Sequence, residues 1–556
     1  MPNTPSVTFN FINKNVESTT PQLGVSHVVA RTTKGDFNKP DEVISNITRF
    51  RALYGEEIVP DGSISNIQKA FEMGSKLRVS RVAGGESPSK PTTTWKEGNE
   101  GSGKTSIFFG GKSKGDCFIE VTLTDKRYAS LDYTLTLKHD ENSTSKWSLQ
   151  TSEENGGRAI AMLNGSDSFL FQNFLNSLNN LEVVVKGITC SSADASHIVP
   201  SVDNLIWFIS EGYIDGIYDS SKSDPLSADI TAKVSGGSDG GASTEDTWKE
   251  AFDALTDYND AYAIVLSHVH QHIPNDYTKV YKYAADVVKK SMDVELYVEV
   301  PKANTQGELK TVEETLTELR SLRTSIGTDK SIAYFGGGIK YYNSRGVIQN
   351  CDVLGTVLGL GDTSASNNGP WYSFAGMNRG IVGDALGACF GNLGVPSKID
   401  VLQQFAELGM NLFVIKDTRT LGKRCMMWHS FTSHEGSDSY KFLSIMRLNL
   451  YVKKNLRPII ESYIEEPNIW TTWKNMYYEV SDIFSELVDK RAISEWTWYG
   501  DQDAQSYADL SVNKEKDVRA GKYHAIAKFR DIVTMQEITI DIVTDASTGD
   551  ITFNTL

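Results

Sequence analysis

The chain has 556 residues, 39% of them hydrophobic and 23% charged, with a formal net charge of -16. That length exceeds a single hydrophobic core, so three or four domains are expected. The acidic balance argues against a nucleic-acid or other polyanion binder, whose surfaces are basic. Cys117, Cys190, Cys351, Cys389 and Cys425 are odd in number and scattered, with no CxxC pair. Neither a disulfide framework nor a zinc knuckle is expected, and a reducing cytoplasm fits best. The first residues carry no basic region followed by an apolar run, so no secretion signal is expected. No stretch approaches the ~20 apolar residues that span a bilayer, so no membrane insertion is expected.

In chain order, Val7, Phe9 and Phe11 alternate with Thr8 and Asn10, the pattern of a strand. Val25 to Ala30 reads as a second strand, 41–54 and 63–73 as helices, and 77–82 as a strand closed by glycines. Residues 86–105 are rich in Ser, Pro, Thr and Lys and read as a linker. Short β-like runs between turn residues then predict a small all-β domain over 91–194. From about Val202 the pattern changes, and Leu205–Ile209 reads as a strand. Helices over 244–255, 277–292 and 312–326 alternate with strands over 261–266, 294–300 and 331–335. That alternation predicts βαβ units and a mostly parallel sheet over 195–362. Residues 361–370, GDTSASNNGP, read as a polar hinge.

The last segment, 363–556, holds an aromatic strand with Trp428, Phe431 and Thr432, then two long amphipathic helices. Phe442, Ile445, Leu448, Val452, Leu456 and Ile459 recur at helical spacing in the first, and Trp473, Tyr477, Val480, Phe484 and Leu487 in the second. Pro458 is expected to end or kink the first helix, and Asn468 to cap the second. At the end of the chain Ile538, Ile540 and Ile542 alternate with polar residues, and Ile551 and Phe553 follow a turn, so both chain ends read as strands.

Phe442, Arg447, the long helix, Glu466-Pro467-Asn468 and Trp473 together resemble the C-terminal domain of contractile tail sheath proteins, the outer cylinder of myovirus tails, R-type pyocins and related injection machines. Gly35, Pro40, Phe50, Tyr54, Gly55, Arg81 and Val82 resemble the N-terminal region of the same family, and Ala375-Gly376 with Arg379-Gly380 its AGxxRG segment. The resemblance implies an α+β multidomain chain. It would have an N-terminal arm and part of the core in 1–90, an inserted β-rich domain in 91–194, an inserted α/β domain of subtilisin-like topology in 195–362, and an α/β C-terminal core with a strand arm in 363–556. It also implies a structural subunit without cofactor. Such a subunit polymerises with itself as a stack of sixfold rings around a tail tube protein, between baseplate and terminator proteins. It would be assembled in the host cytoplasm and found in the virion tail. Its terminal strands, Val7, Phe9 and Phe11 at one end and Ile538, Ile540, Ile542, Ile551 and Phe553 at the other, would pair with neighbouring subunits. Basic residues stand out in this acidic chain, and Lys474, Lys490, Arg491, Lys514, Lys516, Arg519 and Lys522 are candidates for facing the tube.

Three patterns point elsewhere. Residues 98–105 match the phosphate-loop pattern GxxxxGK[ST], which would make the chain a nucleotide-binding enzyme, but the pattern needs a strand before it and a helix after it. The residues after it, SIFFGGKSKG, read as strand and turn. Residues 236–240 match GxSxG within a Gly/Ser-rich loop, where a nucleophile elbow is not expected. His268, His270 and His272 alternate at a strand end, a weak metal pattern without a completing ligand, so a polar edge is expected. A glycan-binding tail adhesin, its loops carried by the β-rich stretch, is the remaining alternative.

Overall fold

The computed structural model describes residues 23–97, 103–139, 147–152, 160–163, 181–193, 197–218, 221–304, 307–343, 346–388, 391–392, 399–418, 421–436 and 438–533. The terminal strands read from Val7, Phe9, Phe11, Ile538, Ile540, Ile542, Ile551 and Phe553 lie outside these residues.

The centre of the molecule is a nine-stranded sheet. Its middle is parallel, in the spatial order Lys76–Arg81, Val25–Ala30, Ala263–Leu266, Glu295–Val300, Ile332–Gly336 and Met410–Thr418. Val43–Ile44 closes one side antiparallel, and Gly422–Met427 followed by Ile381–Val382 closes the other. Several inner strands are buried at every residue, as VSHVVA, AIVL, ELYVEV and IAYFG are. A parallel sheet covered on both faces requires such runs. Alternate residues feed two cores. Val28, Ala263, Val265, Tyr297 and Phe335 face the helices Asn66–Glu72 and Leu354–Asn368. Val29, Ile264, Leu266, Leu296 and Tyr334 face Glu245–Thr256, Tyr277–Ser291 and Val312–Ile326. Thr244 and Thr311 cap two of these helices with reciprocal hydrogen bonds.

The three strands within 195–362 therefore do not make a sheet of their own. They share one with strands from the N-terminal segment and from 381–427. A parallel strand needs a partner on each side, and linear order does not say which distant strand supplies it. The expected hinge at 361–370 is also corrected, since the helix Leu354–Asn368 runs through most of it and is capped by Gly369. Gly355 and Gly359 let this helix lie directly on the Asn66–Glu72 helix. A Cβ on Gly355 would sit 2.3 Å from the Asn66 carbonyl oxygen, and Asn66 in turn accepts the Gly355 N–H at 2.9 Å.

A β-rich unit interrupts the main sheet. One of its sheets runs Leu181–Cys190, Cys117–Asp125, Ile107–Gly111, Gly216–Tyr218, and another runs Thr92–Glu97, Ile230–Gly236, Leu131–His139, Trp147–Thr151, Ile160–Leu163. They share one core with the helix Val202–Ser210. Leu205–Ile209 thus belongs to a helix, capped by Ser201, and not to a strand. A short apolar run fits either form until its partners are known. The unit also continues to Gly236, beyond the expected limit at 194. Cys117 and Cys190 are register partners on adjacent strands and form a disulfide, contrary to expectation, because 73 intervening residues conceal the pairing in the sequence. Two linkers enter and leave the unit side by side. Gly84 and Glu86 donate to the carbonyls of Asp239 and Gly240, and a Cβ on Gly84 would lie 2.1 Å from the Gly240 backbone.

Gly355→Val is expected to lower stability by about 1–3 kcal/mol, the usual range for overpacking a tight contact. Gly187→Ala, whose added methyl meets nothing within 4 Å, should stay within about 0.5 kcal/mol of the parent. Thermal unfolding of the two variants checks both.

Candidate assembly ribbon and its anchorage

The helices Leu443–Ser462 and Trp470–Asp489 pack against each other. Leu448, Val452 and Leu456 meet Met476, Val480, Phe484 and Leu487. The first helix continues past Pro458 to Ser462, correcting the expected break, because this apolar seam holds both sides of the proline. Asn468 is not the cap of the second helix. Its Nδ2 donates to the carbonyls of Val518 and Lys522, and its Oδ1 accepts from Trp473 Nε1 at 2.8 Å. Trp473 also stacks on Tyr523 at 4.9 Å. Asn468 thereby ties the start of the helix to a loop about 50 residues further on.

The chain reverses at Arg491, in the left-handed region at φ 56°, and enters a two-stranded antiparallel ribbon, Ile493–Tyr499 with Ile526–Asp531. Its inner face carries Trp496, Trp498, Ala527 and Phe529. Phe484 stacks on Trp496 at 5.0 Å and also meets Phe529 at 5.8 Å. Its outer face carries Thr497, Tyr499, Ile526, Lys528 and Arg530, all exposed. A two-stranded ribbon is marginal alone, and this one depends on the helix beneath it. Among the described residues neither outer edge pairs with a further strand, so both present backbone N–H and C=O groups that can template another strand. The chain leaves the ribbon through exposed Ile532 and Val533.

The connection between the two strands is organised by Asp501, whose carboxylate accepts from the backbone of Ser511, Val512 and Asn513 and from the side chains of Ser511 and Asn513. Burial works against the charged form, but these donors prevail and hold the carboxyl at about pKa 2. Lys514, Lys516, Arg519 and Lys522 lie together on the following short helix and turn. Lys474 sits at the same end of the long helix, 3.9 Å from Asp503. Lys490 and Arg491 lie beyond the other end of that helix, roughly 25 Å away at 1.5 Å per residue. The basic residues thus form two separate groups.

The helix pair is fastened to the N-terminal edge of the large sheet by three cations on the first helix. Arg447 is fully buried. It donates to Tyr297 Oη at 2.8 Å and to the Gly361 carbonyl at 2.9 Å, faces Glu295 at 3.4 Å, and lies over the Phe374 ring. Burial pushes the Glu295 carboxyl up to about 7, against the pull of Arg447. Asp362, raised by burial to about 6, accepts from Ser26 at 2.8 Å and brings the first strand into the same cluster. Lys453 donates to the Ser291 and Met292 carbonyls, at the C-terminus of the Tyr277–Ser291 helix, where a cation meets the negative end of the helix dipole. Lys454 donates to the Asn259 carbonyl at 3.0 Å, and burial lowers its pKa to about 8.

The opposite edge of the sheet holds the three histidines. They lie on a short helix and not on one face of a strand, because the chain turns at His268, which has φ 53°. His268 Nδ1 lies 2.7 Å from Asp352 and His272 Nε2 lies 2.9 Å from the Ile58 carbonyl. Lys104, in the phosphate-loop match, exchanges both backbone hydrogen bonds with Trp95, and the chain then enters the strand Ile107–Gly111. The required helix start is replaced by a hairpin return. The GxSxG residues form the linker beside Gly84, where Ser238 bridges to Ser89. The strand expected around Trp428 stops at Met427, and Phe431 keeps a single bridge, to Phe442. Sequence reasoning missed Glu295, Asn468's tie and Asp501. Only the alternation of Trp496 and Trp498 signalled the ribbon.

No family model and no curated protein matches the chain in sequence. Solved structures do. The crystal structure of a sheath tail protein from Desulfitobacterium hafniense superposes with a TM-score of 0.50 at 12% identity, covering 94% of this chain and 100% of that one. A sheath tail protein from Listeria innocua gives 0.49 at 12% identity over 92% and 96%. The helical sheath of the anti-feeding prophage, in its contracted state, gives 0.49 at 10% over 97% and 99%. The chain thus has the fold of the Desulfitobacterium sheath tail protein along nearly its whole length.

Two predictions follow from the anchorage and the histidines. Arg447→Ala should cost about 3–5 kcal/mol, because it leaves Glu295 buried without its cation, whereas Arg447→Met combined with Glu295→Gln should recover much of that loss; chemical denaturation of both variants checks it. For His268, burial lowers the pKa, but the Asp352 hydrogen bond and the charges of Glu57, Asp352 and Glu299 outweigh it and raise the ring to about 9. The folded pKa exceeds the unfolded one, so this stabilisation is complete below about pH 6.5 and is lost as pH rises through about 9. His268→Gln should flatten the fall in melting temperature between those pH values.

Proposed function

We propose that this chain is the subunit of a contractile tail sheath. It polymerises with itself as a helical cylinder of rings, sixfold by the family resemblance, around a tail tube, and contracts to drive that tube through a host envelope. The observation that carries this reading is the ribbon Ile493–Tyr499 with Ile526–Asp531. It has two open edges, and it sits in a chain with the fold of a sheath tail protein, next to the segment that leads to Ile538, Ile540 and Ile542. The terminal strands, Val7, Phe9 and Phe11 from one neighbour and Ile538, Ile540, Ile542, Ile551 and Phe553 from another, add to such ribbons by strand augmentation. Main-chain hydrogen bonds then persist while the polar tethers beside them bend, so subunits move from an extended to a contracted lattice without separating. The driving energy is the extra surface buried in the contracted packing, and the role is structural, not enzymatic. The end of the module bearing Lys474, Lys514, Lys516, Arg519 and Lys522 faces the tube protein, with Lys490 and Arg491 at its far end. Baseplate and terminator proteins bound the cylinder, which is assembled in the host cytoplasm and works in the virion tail.

Deleting residues 1–13 or 535–556 should abolish tubes seen by negative-stain electron microscopy while leaving a folded monomer with an unchanged melting temperature. Normal tubes from both truncated chains would overturn strand exchange.

A further inference from the structure

The C-terminal edge of the parallel sheet, opposite the edge that grips the helix pair, opens into a cavity of about 780 Å³. It lies where the strands Ala263–Leu266 and Glu295–Val300 end. Nearby the winding of the sheet reverses, since the chain passes from Val25–Ala30 to Lys76–Arg81 on one side and returns to Ala263–Leu266 on the other. Open α/β sheets bind ligands at this edge, beside such a reversal. The volume falls within the usual range for small-molecule sites.

The lining is polar and its charges are already matched. Lys302 pairs with Asp61 at 2.9 Å, and Lys310 with Glu318 at 3.3 Å. Tyr277 donates to Glu318. Behind them Asp352 is held by Lys302, by His268 at 2.7 Å and by Gln271 at 2.9 Å, so the floor is fixed. A matched lining favours neither an anion nor a cation. What it lacks is hydrogen-bond partners. Ser63 Oγ, His270 Nδ1, Gln349 Oε1 and Asn350 Oδ1 all belong to lining side chains, are shielded by the surrounding chain, and have no partner among the described residues. The His270 side chain is only 8% exposed. Leaving such atoms unpaired costs about 1–3 kcal/mol each, and native proteins leave few of them.

We infer that this cavity is a binding site for a neutral polyhydroxyl ligand of one or two sugar rings. Hydroxyl groups both donate and accept, so one ligand can serve the amide oxygens, the serine hydroxyl and the imidazole together. The proline and leucine side chains of the wall, Pro60, Pro274, Pro301 and Leu309, offer the apolar surface on which the C–H face of a sugar ring rests. The site needs no neighbouring subunit, so its failure would leave the sheath reading untouched.

The test is ligand-observed NMR on the full-length chain with a panel of neutral mono- and disaccharides, with inorganic phosphate and spermidine as charged controls. At least one neutral sugar should bind saturably, and Gln349→Ala with Asn350→Ala should weaken it at least tenfold. Ser63→Val serves as a second variant should that pair not fold. Screening the same chain on an array of immobilised glycans separates the sources: capture there marks the end of a surface glycan as the ligand, and binding only in solution marks a free sugar. Silence from every sugar, binding of the charged controls alone, or affinity unchanged in the variants would overturn the assignment.

Discussion

The fold turns on a guanidinium held out of water. Arg447 sits on the first long helix, yet its partners come from elsewhere: Tyr297 and Glu295 on an inner strand, Gly361 on a helix of the opposite layer, and through Asp362 the first strand at Ser26. Burying that charge is unfavourable unless every donor is met. The geometry that meets them fixes the helix pair on the sheet. Lys453 and Lys454 repeat the arrangement along the same helix, against carbonyls at the ends of neighbouring elements. Force applied at the ribbon therefore reaches the large sheet through directional polar bonds as well as through an apolar seam.

This arrangement separates two jobs. The large sheet is closed, with antiparallel strands on both sides and helices on both faces. The ribbon is open, supported on one face by Phe484 and unpaired at both edges. A subunit that must stay rigid while its connections bend requires that division, since packed cores do not deform gradually. The β-rich unit hangs from two glycine-bearing linkers that lie against each other at Gly84 and Gly240, and it contributes no strand to the main sheet.

Much of this was legible in the sequence. The buried runs at 25–30, 263–266, 295–300 and 332–336 announced inner strands, because a strand covered on both faces has no alternation to show. The heptad-like stripes of the two long helices announced their seam. The partnership of Val25–Ala30 with Ala263–Leu266 was not legible, since more than two hundred residues intervene and pairing leaves no local mark. The same distance concealed Cys117 with Cys190. Leu205–Ile209 and residues 361–370 misled for opposite reasons. The first is an apolar run too short to declare its period. The second is a polar stretch that remains helical because its preceding turns are buried. In the ribbon, Trp496 and Trp498 pointed to one covered face, but Asp501 and Asn468 act through backbone groups that composition does not reveal.

The claim at the centre is that this ribbon receives strands from other copies. Mixing one population carrying Tyr499→Cys with another carrying Ile540→Cys, then assembling and oxidising them, tests it directly. The account predicts a mixed cross-linked dimer that appears only in assembled material. Cross-links that form solely when both cysteines are placed on one polypeptide, assembled or not, would contradict it.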